Sequence, residues 1–116
     1  MKLEQLRAYL LNKIGAYEDF PFGPKAMVFK VMGKMFALVA WLEKPLWINL
    51  KCDPELAMHF RNIYKGVRPG YHMNKKHWNT IVLDDAIPRE EIFSMIDDSY
   101  DLVAAGLKKT DRDRLE

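Results

Sequence analysis

The chain has 116 residues, of which 49% are hydrophobic and 12% aromatic, enough for the core of one ordinary domain but not of two. This composition excludes a disordered chain, and no apolar run reaches the roughly 20 residues that a transmembrane helix needs. The formal net charge is only +2, but residues 56–83 contain five basic and no acidic side chains, which is typical of an anion-facing surface or of a solvated one.

The start of the chain and its cysteine content bear on where the protein works. The residues that follow Met1 form no apolar run, so we expect no secretory signal peptide. Cys52 is the only cysteine and cannot form a disulfide within the chain, which fits a reducing compartment. We therefore expect a cytoplasmic protein with no membrane partner, and a monomer is the default expectation for its oligomeric state.

The first predicted element is an amphipathic helix. Leucine and isoleucine recur at helical spacing over residues 2–14, and Gly15 is expected to end the helix. Residues 19–24 hold two phenylalanines and two prolines. This connector cannot continue the helix, because prolines lack the backbone donor that a helix requires. We expect its aromatic side chains to fold back over the core.

Three strands are predicted next. The β-favouring runs 27–31 and 35–41 predict a hairpin, in which Gly33 adopts a positive φ. Residues 46–51 predict the third strand, since apolar and polar residues alternate along it. Its two predicted faces are Leu46, Ile48 and Leu50 on one side and Trp47, Asn49 and Lys51 on the other.

The second half of the chain predicts two helices around a fourth strand. Asp53 and Pro54 begin a helix that reaches about Lys65, because Asp accepts hydrogen bonds from free N–H groups at a helix start and Pro suits the first turn. Residues 78–83 predict the fourth strand. A last helix is expected over residues 88–107, with acidic residues in its first turn.

The resulting order is α-β-β-β-α-β-α. It predicts a single compact α+β domain, with a mostly antiparallel sheet and helices packed mainly on one face. Residues 1–109 form this domain, and residues 110–116 form a polar tail that we expect to be frayed. Leu115 and Glu116 could be an expression remnant, so no functional argument rests on them. The other face of the sheet is expected to be partly exposed to water, with these candidates: Lys30, Trp47, Asn49, Lys51 and Trp78.

Five runs carry a resemblance to a known family: residues 21–23, 28–37, 49–55, 69–79 and 99–103. The most specific is PGYHMNKKHWN at 69–79. Together they resemble the MmcQ/YjbR family of small bacterial proteins, over nearly the whole domain. The resemblance implies an α+β fold similar to CyaY-like folds and a presumed DNA-binding role. That role comes with no motif-level mechanism that assigns it to particular residues.

Residues 68–79 are the candidate binding surface. The run from Arg68 to Tyr71 fits a type II turn, in which Gly70 supplies a positive φ. Beyond the turn, a tyrosine could stack on a base, an asparagine could pair with an adenine edge and lysines could contact phosphate. The candidate nucleic-acid-binding residues are Lys51, Arg68, Tyr71, His72, Asn74, Lys75, Lys76 and His77.

A structural interpretation of the same run is also open. Tyr71 and Trp78 could anchor the loop, while His72, Asn74 and Asn79 hydrogen-bond its backbone. For Trp78 and Asn79 we favour this structural role. For the two lysines we favour phosphate contact.

Metal and enzyme chemistry receive little support from the sequence. His72 and His77 could be joined only by Cys52 and His59, and that spacing matches no known zinc site, so we expect no metal and no cofactor. We expect Cys52 to be a small core residue at a strand end. Because it also precedes a helix start, which can lower a thiol pKa, a Cys52–His72 or Cys52–His77 pair is the one enzyme hypothesis. No catalytic constellation is identified, and we expect the protein not to be an enzyme.

The functional prediction is weak, largely sequence-independent binding of nucleic acid, DNA rather than RNA, through the basic and aromatic residues above. The alternative is a small-ligand or protein-interaction module without catalytic activity. In that case the aromatic residues would line a deep, mostly apolar pocket instead of a nucleic-acid track. These residues are Phe20, Phe22, Tyr71 and Trp78.

Overall fold

The computed structural model describes residues 1–115, which form four helices and a single six-stranded sheet. The elements in chain order are α1 Leu3–Leu11, β1 Ala16–Asp19, β2 Met27–Val31, β3 Lys34–Ala40, β4 Trp47–Lys51, α2 Pro54–Ile63, β5 Val67–Pro69, β6 Trp78–Val82, α3 Arg89–Ala105 and α4 Lys109–Leu115. All neighbouring strands are antiparallel, in the order β1-β2-β3-β4-β6-β5. The predicted α+β fold with an antiparallel sheet is confirmed.

The hydrophobic core lies between one face of the sheet and the helices. Leu6 and Leu10 of α1 and Ile96 of α3 are 0% exposed and belong to the same core cluster as Ile48 of β4 and Ile81 of β6. Full burial of a side chain of this size stabilises the fold by roughly 1.5–3 kcal/mol. Helix packing on one face of the sheet is therefore as predicted.

A hairpin turn and a helix cap form where the sequence predicts them. Met32 and Gly33 form the tip of the β2–β3 hairpin with φ values of 48° and 81°, and Gly33 adopts the second of these without steric strain. Asp53 caps α2, since its Oδ2 accepts hydrogen bonds from the backbone N–H groups of Glu55 and Leu56 at 3.2 and 3.3 Å. Both signals depend on near neighbours in the chain.

The predicted element order missed both edge strands. β1 spans residues for which no strand was predicted, and only Asp19 of it belongs to the expected connector. α1 ends at Leu11 instead of continuing to residue 14. β1 has no apolar alternation, and it is held by its pairing with β2 and by a salt bridge from Lys30 to Asp19 at 2.9 Å. β5 is only three residues long and contains Pro69, which edge strands tolerate.

The carboxyl-terminal segment also differs from its prediction. Lys109–Leu115 forms α4 instead of a frayed tail, and Leu115 packs against the hydrophobic core. A Cβ atom on Gly15 would lie 2.6 Å from Leu115 Cδ2, so the absence of a side chain at Gly15 makes room for this contact. Glu116 lies outside the described residues.

Within residues 1–115, no helix combines the length and the apolar character needed to span a bilayer.

Candidate functional site

The face of the sheet opposite the helices, here called the open face, carries the candidate site. Leu38, Asn49, Thr80 and Arg68 are register partners across β3, β4, β6 and β5. Because side chains alternate along each strand, these four residues lie on the face opposite Ile48 and the core. They form one row that crosses four neighbouring strands.

Asn49 is 1% exposed, so the expectation that it faces water is wrong. The segment after β5 folds over it. Asn49 Nδ2 donates to the carbonyl oxygen of Tyr71 at 3.1 Å, and the Tyr71 N–H donates to Thr80 Oγ1 at 2.9 Å. The Thr80 hydroxyl donates in turn to Asn49 Oδ1. Two buried polar side chains thus hold both backbone polar groups of Tyr71.

The ring of Tyr71 stands on the open face and is 56% exposed. It contacts Trp47 edge-to-face, with the ring centroids 5.7 Å apart at an interplanar angle of 85°. The ring of His72 lies 4.0 Å from it, centroid to centroid. Tyr71 is therefore anchored through its backbone, while its ring remains accessible to solvent.

Two clefts adjoin the Trp47–Tyr71 pair. The apolar cleft has a volume of about 280 Å³ and is lined by both aromatic residues together with Phe22, Leu38 and Met73, among others. The charged cleft has a volume of about 340 Å³. Its lining comprises Glu43, Trp47, Arg68, Pro69, Tyr71, Thr80 and Val82.

The predicted type II turn at Gly70 is wrong. Arg68 and Pro69 belong to β5, and Gly70 does not adopt a positive φ. Its N–H donates to the carbonyl oxygen of Trp78 at 2.9 Å, and a Cβ atom on Gly70 would lie 2.8 Å from Trp78 Cβ. Gly70 is needed for this close approach, and the positive φ falls at His72, at 58°.

The other candidate residues lie away from the clefts. Lys75 Nζ donates to the carbonyl oxygen of Gly70 at 3.2 Å, and Asn74 Oδ1 accepts from the Lys76 N–H at 3.0 Å. The backbone of His77 bridges Asn74 and Cys52. Lys51 is half-buried opposite Trp78. Of the eight predicted site residues, Arg68, Tyr71 and His72 line the clefts and the other five do not.

Arg61 is a residue that sequence reasoning missed. Its Nε donates to Asn79 Oδ1 at 2.7 Å, and one terminal nitrogen donates to the carbonyl oxygens of Trp78, at 3.2 Å, and of Lys75. Asn79 is 3% exposed and donates to the carbonyl oxygen of Ala57 in α2 at 3.3 Å. Its role is structural, as predicted, but its backbone partner lies in α2 and not in the loop. The one available signal is that Arg61 follows Ala57 by one helical turn and so shares its buried face.

Cys52 does not have the properties of an activated nucleophile. Its side chain is buried at 7% exposure, and burial, with smaller contributions from Asp98 and Asp53, raises its pKa to about 11. Cys52 is therefore a core residue, as predicted, and the following helix start does not lower its thiol pKa. Within residues 1–115, no group of three or more His, Cys, Asp or Glu side chains is placed to hold a metal ion.

The fold and the site together define a small antiparallel α+β protein with an aromatic, cleft-bearing open face. A family model described as YjbR matches residues 11–102, and the chain belongs to the YjbR family. The predicted family is thereby confirmed.

The chain is similar to two curated Escherichia coli proteins. The uncharacterized protein YbdF of strain O157:H7 is 43% identical over 96 residues, which cover 83% of this chain and 79% of YbdF. The uncharacterized protein YjbR of strain K12 is 37% identical over 100 residues, which cover 86% of this chain and 85% of YjbR.

Solved structures share the fold. A crystal structure of the Deinococcus radiodurans protein DR2400, described as a DUF419 domain, superposes with a TM-score of 0.91 at 37% identity, covering 98% of this chain and 87% of that one. A crystal structure of a Pseudomonas syringae protein superposes with a TM-score of 0.77 at 32% identity, covering 88% of this chain and 98% of that one.

Proposed function

We propose that this YjbR-family protein binds nucleic acid weakly and largely independently of sequence, DNA rather than RNA, in a reducing cytoplasm. The observation that carries the proposal is the exposed ring of Tyr71, held on the open face next to Arg68 and His72. Stacking of a base on an aromatic side chain contributes about 1–3 kcal/mol and tolerates any base. Because stacking needs an unpaired base, single strands are the preferred ligand.

The anchoring of Tyr71 supports this proposal. Its backbone is fixed by Asn49 and Thr80, so little conformational freedom is lost when a base stacks on the ring. Phe22, which is 68% exposed, offers a second aromatic surface at the apolar cleft. An aromatic surface combined with cations that follow the backbone is the usual arrangement of single-strand-binding proteins.

The available cations are few and dispersed. Among the described residues, Arg68, Lys75 and Lys76 form no salt bridge with a carboxylate, so their charges are available to phosphate groups. Lys75 nevertheless bends towards its own loop, and the charged cleft also contains Glu43. Such a surface neutralises few phosphates, and we expect a dissociation constant of about 10⁻⁴–10⁻⁶ M at physiological salt.

The test is a fluorescence-anisotropy titration of labelled single-stranded DNA, duplex DNA and single-stranded RNA at two salt concentrations. If about three phosphates are neutralised, the log–log salt slope should be near −2 for a single strand and near −3 for a duplex. The Lys75→Ala/Lys76→Ala variant should bind more weakly and with a flatter slope. A complete lack of binding at low salt would overturn the proposal.

Stacking is tested with a matched pair of tyrosine variants. Tyr71→Ala should weaken single-strand binding by about 1–3 kcal/mol. Tyr17→Ala removes a ring of similar exposure, 44%, from β1 at the far edge of the sheet, and should leave binding unchanged. Equal losses in both variants would place the aromatic contact elsewhere.

A small planar ligand, or an aromatic side chain of a partner protein, is the second candidate. The apolar cleft favours it, because an aromatic-lined cavity with few polar groups is the usual form of a small-molecule site. A thermal-shift screen of metabolites tests it, with Tyr71→Ala as the specificity control. Absence of any shift in the wild-type protein would remove this candidate.

A further inference from the structure

The two clefts form one bipartite surface. Both are lined by Trp47 and Tyr71, one offers apolar walls, and the other offers the guanidinium group of Arg68. Asn49 lines the apolar cleft and is separated from Arg68 by two strand-to-strand steps through Thr80, about 10 Å between backbones. A ligand that fills both clefts must therefore join an apolar ring to an anionic group over roughly this span.

The cleft volumes agree with such a two-part ligand. Small-molecule pockets usually measure about 300–1,000 Å³. The apolar cleft, at 280 Å³, lies just below this range, and the charged cleft, at 340 Å³, lies at its lower end. A ligand with an apolar ring and a charged group would occupy both clefts, whose linings share Trp47 and Tyr71.

We infer that the open face binds one nucleotide unit, with the base in the apolar cleft and the phosphate at Arg68. The inference rests on the proposed function and names the smallest ligand of the same site. In this arrangement a planar base lies against the aromatic lining of the apolar cleft, its sugar crosses the Trp47–Tyr71 pair that both clefts share, and the flat guanidinium group of Arg68 contacts two phosphate oxygens at once. Within residues 1–115 Arg68 has no carboxylate partner that would compete for its donors.

The negative charge of Glu43 provides a second, independent test of the phosphate position. It lines the charged cleft with Arg68 but forms no salt bridge to it within the described part of the chain. A phosphate bound at Arg68 is therefore repelled by the Glu43 carboxylate. Removal of this charge should strengthen binding of a nucleotide and leave binding of the uncharged nucleoside unchanged.

The experiment is a two-dimensional ¹H–¹⁵N NMR titration of the full chain with deoxyadenosine monophosphate, deoxyadenosine and inorganic phosphate as separate probes. The nucleotide should shift the Trp47 indole signal and the backbone amides of Tyr71 and Thr80. It should bind about tenfold more tightly than either fragment, as expected for one added charge-assisted contact. Equal affinities for the nucleotide and the nucleoside, or shifts confined to other surfaces, would overturn the inference.

Variants distinguish the contact with the phosphate from the contact with the base. Arg68→Gln should reduce nucleotide affinity to that of the nucleoside, Glu43→Gln should increase nucleotide affinity alone, and Arg112→Gln on α4 is the control for a lost charge. A Glu43→Gln variant that gains affinity for the nucleoside as well would contradict the assigned phosphate position. Folding of each variant is checked by its dispersed NMR spectrum.

A nucleotide unit could be a free nucleoside monophosphate or part of a strand. Single strands with and without a 5′-phosphate distinguish these sources, because a terminal unit should gain affinity from the phosphate. Strand binding without mononucleotide binding would overturn the inference and leave the proposed function intact. Mononucleotide binding at the clefts with no strand binding would uphold the inference and overturn the proposed function.

Discussion

Asn49 and Thr80 lie opposite each other on β4 and β6, and the Thr80 hydroxyl donates to Asn49 Oδ1 underneath Tyr71. Their exposures are 1% and 6%, so the pair is a buried polar network on the face of the sheet that carries no helix. Each remaining hydrogen bond of the pair is directed at the backbone of Tyr71. The network thus fixes the position of the residue on which the proposed binding depends.

Thr80→Val is expected to lower the free energy of unfolding by about 1–3 kcal/mol. The substitution keeps the shape of the side chain but leaves the Tyr71 N–H and Asn49 Oδ1 without a partner, and a buried unsatisfied polar group carries a penalty of this size. Urea denaturation monitored by circular dichroism measures the change. Thr110→Val, at an exposed position on α4, is the matched control and should shift stability by less than about 0.5 kcal/mol.

Gly70 and Gly106 should respond to alanine in opposite directions. In Gly70→Ala the new Cβ would lie 2.8 Å from Trp78 Cβ and 3.0 Å from Met73 Cβ, so we expect destabilisation by about 1–3 kcal/mol. Gly106 follows α3 with a φ of −85°, and a Cβ there would meet nothing closer than 3.6 Å. Gly106→Ala should therefore stabilise the protein by about 0.4–1 kcal/mol, because it restricts the unfolded chain.

Thermal and urea denaturation of both glycine variants measure whether each substitution lowers or raises the free energy of unfolding. A Gly70→Ala protein as stable as the wild type would mean that the loop can move away from Trp78 at little cost.

Arg61→Lys is expected to destabilise the protein by about 1.5–3 kcal/mol, although the positive charge is retained. Lysine cannot reproduce the planar fork that reaches Asn79 Oδ1 and two backbone carbonyl oxygens together. Equilibrium denaturation measures the loss, with Arg112→Lys on α4 as the exposed control. A tolerated Arg61→Lys change would show that one donor to Asn79 is sufficient.

The Cys52 thiol should be nearly unreactive in the folded protein. A pKa of about 11, compared with an ordinary value of 9.0, reduces the thiolate population roughly 100-fold at pH 8, and burial slows access further. We expect iodoacetamide, followed by mass spectrometry, to label the protein quickly in denaturant and very slowly without it. Labelling of the native protein at the rate of a free thiol would contradict the buried placement.

Because the pKa of Cys52 is raised in the folded protein, the free energy of unfolding should fall at alkaline pH. Because the pKa of the folded thiol lies above its unfolded value, the stability it contributes is fully present below about pH 9 and is lost as the pH rises towards about 11. Cys52→Ala should remove this part of the alkaline loss in a series of urea denaturation curves.

The elements that could be predicted from the sequence are those whose signals are local. The Gly33 hairpin and the Asp53 cap depend on residues a few positions apart, and the apolar pattern of the long helices repeats within each helix. β1 could not be predicted in this way. Its stability comes from β2 and from salt bridges, including one between Glu18 and Arg7 of α1, and none of these partners is visible in the pattern of β1 itself.

The candidate site was predictable in composition but not in geometry. Tyr71, Arg68 and His72, which line the clefts, were proposed from the sequence because an aromatic and basic run without acids is visible in it. The burial of Asn49 was not predictable. It depends on hydrogen bonds to a loop and to a strand that follow much later in the chain, and alternation within β4 alone assigns Asn49 to water.

The order of strands in the sheet also bears on how the protein folds. β1 to β4 are neighbours both in the chain and in the sheet. β6 pairs with β4, but α2 and β5 lie between them in the chain. Closing this longer loop carries a greater entropic cost, so we expect the β4–β6 contacts to form after the first hairpins. In a stopped-flow chevron, Thr80→Val should then accelerate unfolding while changing the refolding rate little, so that the β4–β6 part of the open face is the last to assemble and the first to come apart.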